Sequence, residues 1–359
     1  MINILIGTKG QFIKMAPILL ELEKRNIKYN FINAKQHGIS LDKMIKSFKT
    51  NEPDNVMWNF GKDITNTKEI FRWLVINTLK YSFFFERKKF KKGRKDILLI
   101  HGDAPPVLLG LITGFFNLMD ICHIEAGCRS HNLFAPFPEE IIRILADKFS
   151  KILFTMSHFA SRNVIGKYEN KLIFNLKKNT TYDAVRIALE FPNDTLKKHF
   201  VLVSIHRFET IQSKEKLEFI IDLIMRISEE EEIIFPLHES TKSSLIRYNL
   251  YEKIKLNKKI LITDLMDYFT FINHIKEAKY LITDGGGPQE ESHYLGTPSL
   301  ILREETERIW DNNCISGFDK NKIDSFLTNP KNYRSKFLIN NYSPSKIIVD
   351  IIERLNYDK

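Results

Sequence analysis

The sequence predicts an α/β fold made of two doubly wound parallel sheets. Short apolar, β-branched runs alternate with helical patterns along almost the whole chain, and polar residues containing Gly, His or Asp directly follow several of those runs. The length of 359 residues is a third indication, since it exceeds what one hydrophobic core usually organises. In order, the first strands are Ile2 to Ile6, Tyr29 to Ile32, Ile97 to Ile100, Ile121 to Ile124 and Ile152 to Phe154, with helices such as Phe12 to Arg25 and Glu139 to Lys148 between them. A second series starts near Phe200: Val201 to Ile205, Ile233 to Leu237, Ile260 to Thr263, Tyr280 to Thr283 and Ser299 to Leu302. The run Val107 to Met119 is apolar over 13 residues but broken by Gly110, Thr113, Gly114 and Asn117, short of the roughly 20 that span a bilayer, so it reads as a buried helix. The polar stretch Asn175 to Lys198 places the hinge between domains near its start.

Composition narrows the function. A formal charge of +10 favours an anionic ligand, an acidic membrane surface or nucleic acid. Cys122, Cys128 and Cys314 are too scattered for a disulfide framework or a thiolate metal site, and they suit a reducing compartment. The start, Met-Ile-Asn-Ile-Leu-Ile-Gly, lacks the pattern of a signal peptide, so a cytoplasmic protein is expected.

In doubly wound sheets ligands sit beyond the carboxyl ends of the strands, which directs attention to the residues there. Thr283-Asp284-Gly285-Gly286-Gly287-Pro288-Gln289-Glu290-Glu291 joins a strand to a helix, and its glycines let backbone N–H groups approach an anion at a helix N-terminus. It is neither a Walker A loop nor a G-x-G-x-x-G fingerprint, and a tight turn without ligand is the competing reading. Asp103, Glu125 and Glu139 adjoin apolar segments, where a carboxylate can act as general acid or base; the plainer reading is a helix cap or an ion-pair partner. His206 stands beside Arg207 after a strand, a placement suited to phosphate. His37, His101, His123 and His238 have no zinc-type spacing, so no metal is expected.

Taken in order, these segments resemble the UDP-N-acetylglucosamine 2-epimerase family, in its non-hydrolysing branch. The resemblance is carried by Gly7-Thr8-Lys9-Gly10-Gln11-Phe12-Ile13-Lys14-Met15-Ala16-Pro17, Gln36-His37, His101-Gly102-Asp103, His123-Ile124-Glu125-Ala126-Gly127-Cys128-Arg129 and Pro138-Glu139-Glu140 with Arg143. It continues through His206-Arg207-Phe208-Glu209, Pro236-Leu237-His238, the glycine segment and Arg303-Glu304-Glu305-Thr306-Glu307-Arg308. It implies two Rossmann-like domains facing a cleft in the GT-B arrangement, residues 1–172 with a C-terminal helix (343–359) returning to them, and residues 173–342. The implied reaction interconverts UDP-GlcNAc and UDP-ManNAc by elimination and readdition of UDP, without metal or redox cofactor, for a surface polysaccharide such as a capsule. Asp103, Glu125 and Glu139 would be the acid/base set, with Lys14 and His206 assisting the departing diphosphate. Lys9, Arg207, His238, Gly285, Gly286, Gly287, Glu291 and Arg308 would bind UDP and substrate, and Gln36 and Lys68 fall where some members hold an allosteric substrate molecule. A homodimer is also implied.

The chain departs from the family at Lys9-Gly10-Gln11, where Arg-Pro-Glu is usual, at Gly285, where Ser is usual, and at Ile142, where Asn is usual. These departures leave open a GT-B glycosyltransferase using a UDP-sugar at the membrane surface, or an epimerase acting on a modified, diacetamido UDP-sugar. Between Ile64 and His101 the chain adds Trp73-Leu74-Val75-Ile76, Tyr81, Phe83-Phe84-Phe85 and a basic run from Arg87 to Lys95. Aromatics beside basic residues suit an anchor to anionic lipid, and a partly buried helix followed by a solvated loop is the alternative. No nucleic-acid-binding motif accompanies the run.

Overall fold

The computed structural model describes residues 1–64, 66–83, 96–133, 137–191, 199–304, 306 and 310–357. They form two compact units, Met1–Ala184 with Ser343–Lys359, and Val185–Tyr342.

In the first unit, β1 (Ile2–Ile6), β2 (Tyr29–Asn33), β3 (Asn55–Val56), β4 (Ile97–His101), β5 (Asp120–Ala126), β6 (Ile152–Thr155) and β7 (Leu172–Asn175) form a parallel sheet in the order β3-β2-β1-β4-β5-β6-β7. The second unit repeats the plan with β8 (Phe200–Ser204), β9 (Glu232–Leu237), β10 (Ile260–Asp264), β11 (Tyr280–Thr283), β12 (Ser299–Ile301) and β13 (Asn313–Ile315), ordered β10-β9-β8-β11-β12-β13. Strand order reverses between β1 and β4 and between β8 and β11. At such switch points the connections leave in opposite directions and open a crevice at the carboxyl ends of the strands.

β1, β4 and β8 are buried at every position, as parallel strands covered by helices on both faces must be. The C-terminal helix Pro344–Tyr357 belongs to the first unit: Ile348, Val349 and Ile352 are fully buried, and Ser345 N–H donates to Asp183 Oδ2 at 2.8 Å. Arg25, capping the helix Lys9–Lys24, adds contacts to Asp350 at 2.7 Å and Glu353 at 2.6 Å.

Several elements differ from expectation. β3, β7 and β13 are strands beyond those expected: β3 and β13 carry no apolar run long enough to be read as strands, β7 has a run, Leu172 to Phe174, as long as Ile152 to Phe154, and each is an edge strand with a neighbour on one side only. β7 pairs with β6, so the first unit continues past residue 172. The buried helix expected over Val107 to Met119 forms as Pro105–Phe116, yet Phe115 and Leu118 are exposed. Trp73 and Tyr81 are core residues rather than parts of an exposed anchor: Trp73 is fully buried and donates Nε1–H to Ala34 O at 3.1 Å. Phe83 is exposed, while Phe84, Phe85 and Arg87 to Lys95 lie outside the described residues. No described helix is long and apolar enough to cross a membrane.

Candidate active site

In the first unit the candidate residues gather at the ends of β1, β4 and β5. Thr8 caps the helix Lys9–Lys24, accepting from Gln11 N–H at 3.2 Å, while Gln11 Oε1 accepts from the N–H groups of Gly7 and Thr8 at 3.1 and 3.2 Å. Gln11 Nε2 then donates to His101 O at 2.9 Å, tying the turn after β1 to the end of β4 across the switch point. An ionised Glu, usual in the family here, has no hydrogen to give that carbonyl. Lys9 N–H donates to His37 Nδ1 at 3.4 Å. Burial lowers the His37 pKa; Asp63 opposes that shift and Lys9 adds to it.

Lys14, from the same helix, forms an ion pair with Glu125 Oε2. Glu125 is 7% exposed, accepts from Asn179 Nδ2 at 2.7 Å, and has His101 Nε2 3.6 Å away. Its backbone is left-handed, φ 70, at a break in the β5–β6 register between Ile124 and Ala126. For a residue other than Gly that conformation costs on the order of 1–3 kcal/mol and persists only where surrounding contacts hold it. Here it turns a carboxylate at the end of β5 toward a lysine on the helix that follows β1.

Asp103, two residues after β4, takes two hydrogen bonds from Arg143 to its Oδ2, from Nε at 2.7 Å and Nη2 at 2.6 Å. Arg143 Nη1 lies 3.3 Å from Glu140 Oε2, which also accepts from Ser130 N–H at 2.9 Å. Glu139 opens the helix Glu139–Phe149 that carries Arg143. Two of the three carboxylates are therefore ion-pair partners of a basic residue, the plainer role open to them, and both stand at strand ends beside the crevice.

In the second unit the centre is Asp284, fully buried, whose Oδ1 and Oδ2 accept from the N–H groups of His206 at 3.1 Å and Arg207 at 3.0 Å. That pair of bonds joins the ends of β8 and β11 at their switch point. His206 stacks on His238 with ring centroids 4.7 Å apart, and Arg207 pairs with Glu209. Gly285 caps the helix Gly286–Leu295, and a Cβ there would lie 2.7 Å from His206 Cε1, so a larger residue would displace the histidine. The glycine turn is flanked by a cation and an anion: Arg303 Nη1 lies 3.8 Å from where a Cβ on Gly286 would stand, and Glu291 Oε1 lies 4.0 Å from the equivalent point on Gly287. Glu291 is 5% exposed, beside Tyr268, whose hydroxyl is pushed well above its usual pKa by burial and by the nearby carboxylates of Glu291 and Glu290.

Not every expected residue joins these groups. Gln36 is buried and donates Nε2–H to Ile64 O at 3.5 Å, whereas Lys68 is exposed in the first turn of the helix Thr67–Thr78. Arg308 lies outside the described residues. Reading the sequence missed Asn179, Asp284 and Arg303 as site residues; Asp284 and Arg303 stand inside quoted motifs and could have been found there, but nothing in sequence marks Asn179.

Two doubly wound parallel-sheet units, with ionic groups at one switch point and a glycine turn at the other, define a protein of the GT-B-like class. The sequence model of the UDP-N-acetylglucosamine 2-epimerase family matches residues 22–329, and the chain belongs to that family. The UDP-N-acetylglucosamine 2-epimerase of Methanocaldococcus jannaschii is 31% identical over 358 residues, covering 94% of each chain. The crystal structure of the M. jannaschii UDP-GlcNAc 2-epimerase in complex with UDP-GlcNAc and UDP superposes with a TM-score of 0.83 at 30% identity, covering 98% of this chain and 99% of that one. The Neisseria meningitidis UDP-GlcNAc 2-epimerase bound to UDP-GlcNAc gives 0.84 at 23% identity, covering 98% and 99%, and supports the fold alone.

Proposed function

We propose that this protein is a nucleotide-sugar 2-epimerase of the non-hydrolysing type, interconverting UDP-GlcNAc and UDP-ManNAc for surface polysaccharide synthesis. The observation that carries the reading is the part-buried Lys14–Glu125 pair at the end of β5, in a chain whose relatives are named for this reaction. A base among Asp103, Glu125 and Glu139 takes the proton from C2, the C1–O bond breaks with its electron pair leaving on UDP, and a glycal remains. UDP then adds back to C1 while a proton is delivered to the opposite face of C2, so atoms and charge balance without a cofactor. By the family resemblance His206 and Lys14 assist the departing diphosphate, with Lys9 and Arg207 assigned to UDP, and in the first unit Lys14 also sets the electrostatics of Glu125 through their ion pair. Gly285 N–H donates to Thr283 Oγ1 at 3.0 Å and so shapes the turn, while the backbone of Gly286 and Gly287 suits phosphate, with Arg303 as a further guanidinium and His238 supporting His206; Glu291 suits the ribose hydroxyls. Arg308 is assigned to the same task on the motif alone, and Gln36 and Lys68 to a second substrate molecule.

The test is proton NMR with UDP-GlcNAc in deuterated water. Loss of the C2 proton signal together with growth of UDP-ManNAc is the expected result, whereas free ManNAc would point to the hydrolysing reaction. No exchange overturns the reading for this sugar and turns attention to diacetamido UDP-sugars or to glycosyl transfer.

A cytoplasmic homodimer that touches the inner membrane face through Arg87 to Lys95 is the finer reading we favour. Exposed Phe83, Phe115, Phe116 and Leu118, with the rings of Phe83 and Phe116 4.4 Å apart, support an apolar contact next to that basic run. Flotation with anionic vesicles should carry the protein upward; protein that stays at the bottom with a dimer's mass by light scattering would remove the lipid contact and leave the second copy.

A further inference from the structure

A fully buried ionic cluster adjoins the residues assigned to proton transfer. Asp147, in the helix Glu139–Phe149, accepts from His123 Nδ1 at 2.7 Å, Arg129 Nη2 at 2.6 Å and Gly127 N–H at 3.1 Å. His123, also fully buried, sets its other nitrogen, Nε2, 2.9 Å from Gly102 O. A carbonyl oxygen only accepts, so Nε2 carries a hydrogen. Burial alone would raise the Asp147 carboxyl, but the His123 hydrogen bond and the charges of His123 and Arg129 outweigh it and hold the group below its usual value.

We propose that His123 and Asp147 are positioning residues, fixing the strand-end segments that carry Asp103 and Glu125. The places they hold fit that role. Gly102 immediately precedes Asp103, while His123 and Gly127 stand two residues either side of Glu125. Arg143, one turn before Asp147 on the same helix, holds Asp103 itself, so one helix grips both segments. Among the described residues, Arg129 and, through its field at Asp147, Lys171 also face the pair. A carboxylate displaced by about 1 Å from a reacting proton can lose about a hundredfold in rate, which gives such a clamp a large effect without touching substrate.

The effect on turnover rests on the epimerase reading, whereas the hold on the strand-end segments does not, so the test has two arms. In the full-length protein, amide hydrogen exchange in peptides covering residues 102–103 and 123–129 should quicken in Asp147→Asn, nearly equal in shape, while peptides from residues 200–300 keep the parent's rates; unchanged exchange overturns the clamp. The same variant should lower kcat about a hundredfold while the KM for UDP-GlcNAc and the affinity for UDP stay within about threefold. An unchanged kcat, or a matching loss of UDP affinity, would overturn the positioning role.

Discussion

Glu125→Gln is expected to lower kcat for C2 epimerisation about a thousandfold, within the roughly 10²–10⁴ that a positioned acid or base contributes. Glutamine keeps the size and one acceptor, so Lys14 and Asn179 retain an oxygen to donate to, and the fold should survive. What is lost is the capacity to hold a proton. A thousandfold loss corresponds to about 4 kcal/mol of transition-state stabilisation. UDP affinity, assigned to the glycine turn and its neighbours, should change little. Turnover within about tenfold of the parent would remove Glu125 from the acid/base set. Retained C2 exchange with lost product formation would instead place the residue on the readdition step.

Gly127→Ala should be the most destabilising single change in the first unit. Gly127 has φ 79, and a Cβ there would lie 2.1 Å from the carbonyl oxygen and 2.8 Å from the carbonyl carbon of Ala160. Backbone atoms cannot swing aside as a side-chain tip can. Both neighbouring bonds would be disturbed as well, Gly127 N–H to Asp147 and Asn163 Nδ2 to Gly127 O at 2.8 Å. Left-handed strain and a backbone clash together place the cost at about 3–5 kcal/mol, the upper tail for point mutations. In a unit of this size the melting temperature should then fall by about 10 °C. Thermal unfolding followed by circular dichroism checks it; a midpoint within about 3 °C of the parent would mean that the segment after Glu125 yields more readily than its contacts imply.

The three strands that sequence reading missed all lie at sheet edges. β3 and β13 need not be apolar on both faces there, and two-sided burial is what makes a short run legible, whereas β7 carries Leu172 to Phe174, a run as long as the one that marks β6. At Trp73 composition left two readings open, a lipid anchor beside a basic run and a partly buried helix, and the fold decides between them, since the indole is fully buried and bonded to Ala34. Local composition records what a side chain is, not which surface covers it.

What the sequence determined by itself was the α/β class, the interior strands and the strand-end motifs, because two-sided burial and tight turns impose residue types on consecutive positions. Tertiary structure alone decided who meets whom. Asn179 reaches Glu125 across 54 residues, Arg143 reaches Asp103 across 40, and Asp147 gathers His123, Gly127 and Arg129 from β5 and the turn after it. Each of these contacts forms because parallel winding brings successive strand ends to one edge of the sheet, a juxtaposition that no spacing along the chain encodes.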